Sequence, residues 1–326
     1  MRYVDLPVAA GGAKVSTLGF GGAALMGRAG RRESLAALGA AMDAGITFYD
    51  TARSYGYGES ETLLGEFFAG RRHSVVLCTK FGILPVPKGG WKQKAKPLAQ
   101  IAVRMFPALR KHARRHAADQ MQAGQFSLDV LKASFETSLR ELRTEYVDML
   151  LLHGATSEVL RRDELVEAMG RLVEQGKVRM AGFSSEPPVV LEALARGPGV
   201  LTTAQFPMNR TNLGFSRHTS QAHGLFLVAN HPFGGVAGVA STAERVEQMR
   251  TSERLPAELR AKLDGRDPRL MPEIVLNVIL NGTGVSAVVP AMMRPENLRN
   301  NALAVEQCRF TALELGLLRD ELIGAS

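Results

Sequence analysis

Short runs of β-branched and apolar residues alternate with segments of helical period along most of this chain, and the runs are apolar on both faces. A strand with one face in water alternates apolar and polar residues, whereas a strand covered on both sides is a near-continuous hydrophobic run. The runs fall at 18–21, 46–50, 75–80, 147–152, 178–183, 200–206, 225–229 and 285–289. Helical spacing is found over 33–44, 61–68, 128–142, 165–175, 189–195, near 217, and over 272–280 and 295–305; within 128–142, Leu131, Phe135, Leu139 and Leu142 mark the buried face. Eight such runs with helices between them predict an α/β fold, and a closed (β/α)8 TIM barrel is the simplest way to cover both faces of eight parallel strands. Residues 3–15, centred on Ala10-Gly11-Gly12, read as an N-terminal hairpin outside the repeat, and 311–323 as a C-terminal helix.

The chain has 326 residues, 45% hydrophobic and 22% charged, enough for one large barrel with additions. Residues 1–326 are therefore expected to form a single barrel domain with an insertion at about 83–125, after the third strand. The two cysteines, Cys78 and Cys308, are too few and too far apart for a disulfide framework or a cysteine zinc site, and they fit a reducing cytoplasm. The N-terminus lacks the basic start and apolar run of a signal peptide, and no stretch reaches about 18 uninterrupted apolar residues. The expectation is a cytoplasmic protein with no membrane partner. A net charge of +8 suggests nucleic acid at first sight, but nine basic residues and one acid lie between residues 85 and 125. That segment carries the whole excess, so the charge gives no ground for nucleic-acid binding by the barrel.

Chemistry in barrels of this kind sits at the C-terminal ends of the strands. Asp50, Lys80, His153, Ser184 and Gln205 end or directly follow five of the runs. A polar loop entry is ordinary for any one of them, but five together point to a site. Asp50-Thr51-Ala52-Arg53-Ser54-Tyr55-Gly56, followed by Gly58-Glu59-Ser60-Glu61 and Leu64-Gly65, resembles the signature of the aldo-keto reductase family. Thr79-Lys80-Phe81-Gly82, Leu151-Leu152-His153, Gly176-Lys177-Val178-Arg179 with Gly182-Phe183-Ser184, Gln205-Phe206-Pro207-Met208-Asn209 and the stretch from Pro295 to Asn301 follow in that family's order. The likeness covers about residues 1–82 and 126–305.

The resemblance implies a catalytic tetrad of Asp50, Tyr55, Lys80 and His153. A carbonyl that accepts hydride needs a proton on its oxygen, and a tyrosine of ordinary pKa, about 10, is a weak donor near neutrality. Lys80, held by Asp50, is expected to lower the Tyr55 pKa, and His153 to hydrogen-bond the carbonyl oxygen. The resemblance also implies an extended nicotinamide dinucleotide, with Ser184, Ser185 and Gln205 at its carboxamide and His231 and Phe233 in the loop after the seventh strand; glycines such as Gly22, lacking a Cβ, are expected to let the backbone approach the cofactor closely. Arg294, Asn297 and Asn301 fall toward its adenosine end, and Arg294 as a phosphate donor favours NADP(H) over NAD(H). Two positions depart from the family. Ser185 replaces the usual Asn, with less reach than an amide, and Asn230 replaces an aromatic that stacks on the nicotinamide, leaving His231 or Phe206 to substitute.

Gly19-Phe20-Gly21-Gly22-Ala23-Ala24 matches a loose G-x-G-x-x-A dinucleotide fingerprint, but Gly27 and Gly30 break the helix that should follow. His112 and His116 have helical metal-ligand spacing, yet their neighbours Lys111, Arg114 and Arg115 oppose a cation and no acid supports one, so no metal is expected. In the basic insertion Leu98, Ile101, Ala102, Met105 and Leu109 repeat at helical spacing, with Pro107 interrupting. A solvated flap packed on the barrel is the plain account of it. The functional expectation is a positively charged lid for an acidic substrate or for cofactor phosphates, with a docking surface as the alternative. The expected activity is NADPH-dependent reduction of a small-molecule aldehyde or ketone with Tyr55 as general acid. The competing expectation is a cofactor-binding barrel that acts as a redox-reporting or partner-binding subunit with little turnover.

Overall fold

Eight parallel strands surround the centre of the protein in a computed structural model that describes residues 1–7, 11–27, 29–85, 121–197, 199–220, 224–263 and 265–324. An antiparallel hairpin, β1 (Tyr3–Asp5) with β2 (Lys14–Ser16), precedes them. The barrel strands are β3 (Phe20–Gly21), β4 (Phe48–Asp50), β5 (Val76–Phe81), β8 (Val147–His153), β9 (Val178–Ser184), β10 (Leu201–Pro207), β11 (Phe226–Asn230) and β12 (Ala287–Val289), each paired with its neighbours in that order. Two short strands, β6 (Leu84–Pro85) and β7 (Met121–Gln122), pair antiparallel between β5 and β8. Closure comes from the backbone just before β3: Leu18 bridges Val288, the Gly19 N–H donates to Val288 O at 2.8 Å, and the Val288 N–H donates to Thr17 O at 2.8 Å.

Helices α1 (Arg31–Asp43), α2 (Ser60–Phe67), α3 (Leu128–Glu141), α4 (Asp163–Glu174), α5 (Pro187–Arg196), α6 (Gly235–Met249), α7 (Leu270–Leu280), α8 (Pro295–Glu306) and α9 (Ala312–Ile323) complete the alternation. Their starts follow local chemistry. The Ser127 hydroxyl accepts from the Val130 N–H at the head of α3, Thr311 and Glu314 form a reciprocal capping box on α9, and prolines open α5 and α8, where a missing N–H costs nothing. Helix α6 has no counterpart among the segments expected from the sequence. Its first five residues, Gly235-Val236-Ala237-Gly238-Val239, are poor in helix formers, and its buried residues Thr242, Val246 and Met249, though at helical spacing, form a short and partly polar stripe.

Two apolar layers result. The larger lies between strands and helices and includes Tyr49, Leu77, Leu150, Leu152, Phe183, Phe206 and Leu227. The smaller fills the barrel with Phe48, Val76, Cys78, Met149, Leu151, Met180, Phe226, Val228, Ala287 and Val289. Leu6 and Val15 of the hairpin join this inner cluster, so the hairpin plugs one end and leaves the other for polar residues. The glycine fingerprint is no Rossmann turn: Gly22–Ala24 is a single 3-10 turn, and the next helix begins only at Arg31. Most of the basic insertion, residues 86–120 with His112 and His116, lies outside the described residues; its stem β6–β7 stands beside the β4–α2 loop, where a Cβ on Gly58 would lie 3.2 Å from Pro85 Cγ.

Candidate active site

Alternate residues of a strand face the same side. The inward positions therefore run Phe48, Asp50 on β4; Val76, Cys78, Lys80 on β5; Met149, Leu151, His153 on β8; Met180, Gly182, Ser184 on β9; Thr203, Gln205 on β10; and Phe226, Val228, Asn230 on β11. Apolar members build the inner core, and the most C-terminal named on each strand is polar. Register brings these together: His153 lies opposite Ser184, Ser184 opposite Gln205, and Asn230 opposite Pro207. The same parity turns Phe206 outward, where it is fully buried and packs on Phe215 at 5.4 Å between ring centroids. It is therefore no substitute for a ring at Asn230.

Lys80 and Asp50 form the floor of the site. The Lys80 side chain has no solvent exposure; its Nζ donates to Asp50 Oδ1 at 2.6 Å and to Thr51 O at 2.8 Å. Burial works against the ammonium, yet the neighbouring Asp50, Tyr55 and Cys78 together hold its pKa above the ordinary lysine value, so it stays charged. Tyr55 opens a 3-10 turn after β4, and Lys80 Nζ lies 4.9 Å from its ring centroid. Gly56 follows at φ +62°, where a Cβ would meet Leu25 O at a forbidden distance, so only glycine lets the Tyr55 turn settle on the β3–α1 loop. The rings of Tyr55 and His153 meet edge to face with centroids 5.8 Å apart.

Burial pushes the Tyr55 pKa above the ordinary phenol value, with the charge of Lys80 and a hydrogen bond from it opposing and Asp50 adding to the rise. The expectation that Lys80 brings Tyr55 below its ordinary value thus has the right sign for that one neighbour but omits the larger cost of burial. Burial, helped by the Lys80 charge, pushes His153 down to about 3. Its Nδ1 is buried and has no hydrogen-bond partner among the described residues.

The expected cofactor residues divide into two groups. Ser184 Oγ donates to Gln205 Oε1 at 2.9 Å, and Gln205 Nε2 donates to Asp50 Oδ1 at 2.9 Å, so a hydrogen-bonded chain runs from the rim to the Lys80–Asp50 pair. Ser185 Oγ donates to Ala155 O at 2.7 Å. These bonds leave acceptor lone pairs on both serines and one N–H on Gln205, a set complementary to a primary carboxamide. The residues present therefore fit the nicotinamide end. Gly22 lies at the same rim, where a Cβ would stand 2.8 Å from Asp50 O; close approach of its own backbone to β4 already demands glycine there. His231 is exposed, at φ +50°, and its Nδ1 lies 2.9 Å from Asn230 Oδ1, while Phe233 is half-buried against the outer layer. Arg294 caps α8 and is exposed together with Asn297, whereas Asn301, one turn on, is 4% exposed. No hydrogen bond ties this trio to the rim chain among the described residues.

A buried cluster on the outer face of the same wall lies away from the strand ends. Glu61, in the first turn of α2, accepts from Arg53 Nη1 at 2.5 Å and from Thr79 Oγ1 at 2.6 Å. Its legible signal is Thr79, the outward neighbour of Lys80 and a polar residue in an apolar run. Among the described residues no cluster of three or more His, Cys, Asp or Glu could hold a metal, and no helix is long and apolar enough to cross a membrane.

The structure is thus a parallel eight-stranded barrel with a buried lysine–carboxylate pair beneath a tyrosine and a histidine at the C-terminal ends of its strands. The chain belongs to the Aldo/keto reductase family, whose sequence profile matches residues 17–320. It is 25% identical over 304 residues to an uncharacterised oxidoreductase of Bacillus subtilis, YqkF, covering 89% of this chain and 87% of that protein. It is 31% identical over 169 residues to the methylglyoxal reductase YeaE of Escherichia coli, covering 52% of this chain and 45% of that protein. Among solved structures, the holo form of the aldo-keto reductase AKR11C1 of Bacillus halodurans superposes with a TM-score of 0.68 at 24% identity, covering 98% and 95% of the two chains. An aldo/keto reductase of Klebsiella pneumoniae in complex with NADP and acetate superposes with a TM-score of 0.62 at 24% identity, covering 95% and 92%.

Proposed function

We propose that this protein reduces a small aldehyde or ketone to the alcohol, with NADPH as the reductant and Tyr55 as the general acid. The observation that carries this is the fully buried Lys80–Asp50 pair beneath Tyr55, with His153 edge-on to the same ring. A bound reduced nicotinamide dinucleotide supplies the hydride. As the carbonyl carbon accepts it, the oxygen becomes an alkoxide far more basic than any phenolate, so a proton passes downhill from Tyr55 even though burial has raised its pKa. The phenol O–H bond breaks, the proton ends on the product oxygen, and the tyrosinate is left beside the Lys80 ammonium. A raised pKa also keeps Tyr55 protonated, as an acid must be, throughout the neutral range.

His153 acts as a neutral hydrogen-bond donor to the carbonyl oxygen, because a group that protonates at about 3 is uncharged at working pH. The unfolded chain protonates histidine near pH 6.5, as free histidine does, and the folded chain only near 3. Between those values the unfolded state holds the extra proton, so folding stability declines as pH falls through that window. The 15N shifts of His153 are expected to stay at neutral-imidazole values from about pH 8 to about pH 4.5, and a titration midpoint near 6 would overturn this role.

Support for NADP(H) over NAD(H) comes from exposed Arg294 at the head of α8, whose side chain has no hydrogen bond or ion pair among the described residues and can donate to a phosphate, and from the NADP in the K. pneumoniae structure. A second account, a cofactor-binding barrel with little turnover, draws on Asn230, which is tied to His231 and offers no stacking ring at the inner rim. NADPH oxidation followed with a panel of aldehydes separates the two: turnover supports the reductase, and tight NADPH binding without turnover supports the subunit.

A further inference from the structure

Glu61 sits on the outer face of the barrel wall, and its two carboxylate oxygens are divided between the two segments that carry the reacting pair. Oε2 accepts from Arg53, two residues before Tyr55, and Oε1 accepts from Thr79, one residue before Lys80. All the groups are sheltered: the Glu61 side chain is 1% exposed and that of Arg53 13%. The backbone completes the link, since the Arg53 N–H donates to Lys80 O at 3.3 Å and the Tyr55 N–H to Ala52 O at 3.1 Å. Next to Glu61, Ser60 Oγ lies 3.0 Å from Thr51 Oγ1, so the first turn of α2 grips the β4–α2 loop at two points. The same turn is the positive end of the helix, which favours a carboxylate there.

We propose that Glu61 is a positioning residue for proton transfer: by clamping Arg53 and Thr79 it fixes the distance between Tyr55 and Lys80. This rests on the reductase function proposed above. A loop such as 51–59 has several accessible conformations unless something restricts them, and a bidentate buried carboxylate does so with directional, charge-assisted bonds. The clamp acts from behind the wall and touches neither substrate nor cofactor. Its loss therefore lowers the rate of the chemical step and leaves the rim chain of Ser184 and Gln205, and with it cofactor affinity, unchanged.

Two variants test the clamp. Glu61→Gln keeps the shape and removes the charge; Thr79→Val keeps the shape and removes only the hydroxyl, so it folds even if the first does not. Steady-state kinetics, NADPH affinity by fluorescence titration, and hydrogen exchange of the peptide covering residues 51–58 are measured for each. For Glu61→Gln the expected result is a fall in kcat of about 30- to 100-fold, the scale of a displacement of about 1 Å, with NADPH affinity within about twofold. Exchange at 51–58 quickens in both variants, and Thr79→Ser, which restores the hydroxyl, returns kcat and exchange to wild-type values. Unchanged exchange and unchanged kcat in Thr79→Val overturn the proposal, as does a loss of kcat that comes with an equal loss of NADPH affinity. Because exchange is read without turnover, an inactive wild type whose exchange still responds would count against the reductase function and leave the clamp standing. An active wild type indifferent to both variants would do the reverse.

Discussion

Replacing Tyr55 by Phe is expected to lower kcat for aldehyde reduction by about 10²- to 10⁴-fold, the range that a positioned general acid contributes. The substitution removes one oxygen from a half-buried side chain and keeps the ring that meets His153 edge to face and lies over Lys80. Fold stability and NADPH affinity should therefore stay near wild type, because Ser184, Ser185 and Gln205 are untouched. With the phenol gone, the alkoxide formed by hydride arrival has no donor of comparable placement among the tetrad: His153, which protonates only at about 3, is a neutral imidazole at working pH and a far weaker acid than a phenol. Steady-state kinetics and cofactor titration on the same preparation check both halves. A Tyr55→Phe enzyme within about threefold of wild type would remove Tyr55 from the chemistry, since that is far less than acid catalysis contributes.

Lys80→Met is expected to cost both activity and stability. The ammonium is fully buried and donates to Asp50 and to Thr51 O, so its removal leaves the Asp50 carboxyl, 4% exposed, with Gln205 alone among these partners. Breaking a buried pair in this way costs about 3–5 kcal/mol. The loss exceeds that of an exposed ion pair such as Arg161–Glu192, which contributes at most about 1 kcal/mol. Without Lys80, nothing among the tetrad opposes the effect of burial on Tyr55, and the tyrosinate left after proton transfer loses its counter-charge. Urea unfolding together with kcat at saturating NADPH measures the two losses. A stable but inactive Lys80→Met protein would mean that the pair serves chemistry alone, and a stable, active one would contradict the assignment of Lys80.

That Asp50, Tyr55, Lys80 and His153 meet at one mouth of the barrel was legible because each breaks an apolar run or follows one within a few residues, and the pleat of a strand converts that break into a position at the mouth. Strand parity also decides against Phe206 as the substitute expected for the ring at Asn230: once Gln205 faces inward, its neighbour cannot. Helix α6 was not legible, since its opening Gly235-Val236-Ala237-Gly238 has little helix propensity and its buried stripe of Thr242, Val246 and Met249 is short and partly polar. The sign of the Tyr55 shift was equally hidden. Neighbouring charges follow from the motif, but the larger contribution, burial, depends on how the Tyr55–Gly58 turn packs against Leu25 and Met26. Glu61 stood in plain view within the motif, but its double grip required knowing that Thr79 points outward toward α2 while Lys80 points inward. The basic segment carries the entire net charge, and its expected role as a lid rests on residues 86–120, outside those described.

Direct hydride delivery at this site is the central claim, and isotope tracing tests it most directly. Wild-type protein is incubated with NADPH deuterated at C4 of the nicotinamide, on the face that is transferred, and an aldehyde that turns over, and the alcohol is analysed by mass spectrometry. The expected result is one deuterium on the carbinol carbon from one face of the cofactor, with Tyr55→Phe giving almost none in the same time. Tight NADPH binding with no alcohol formed, or an alcohol whose new hydrogen comes from solvent, would contradict the account.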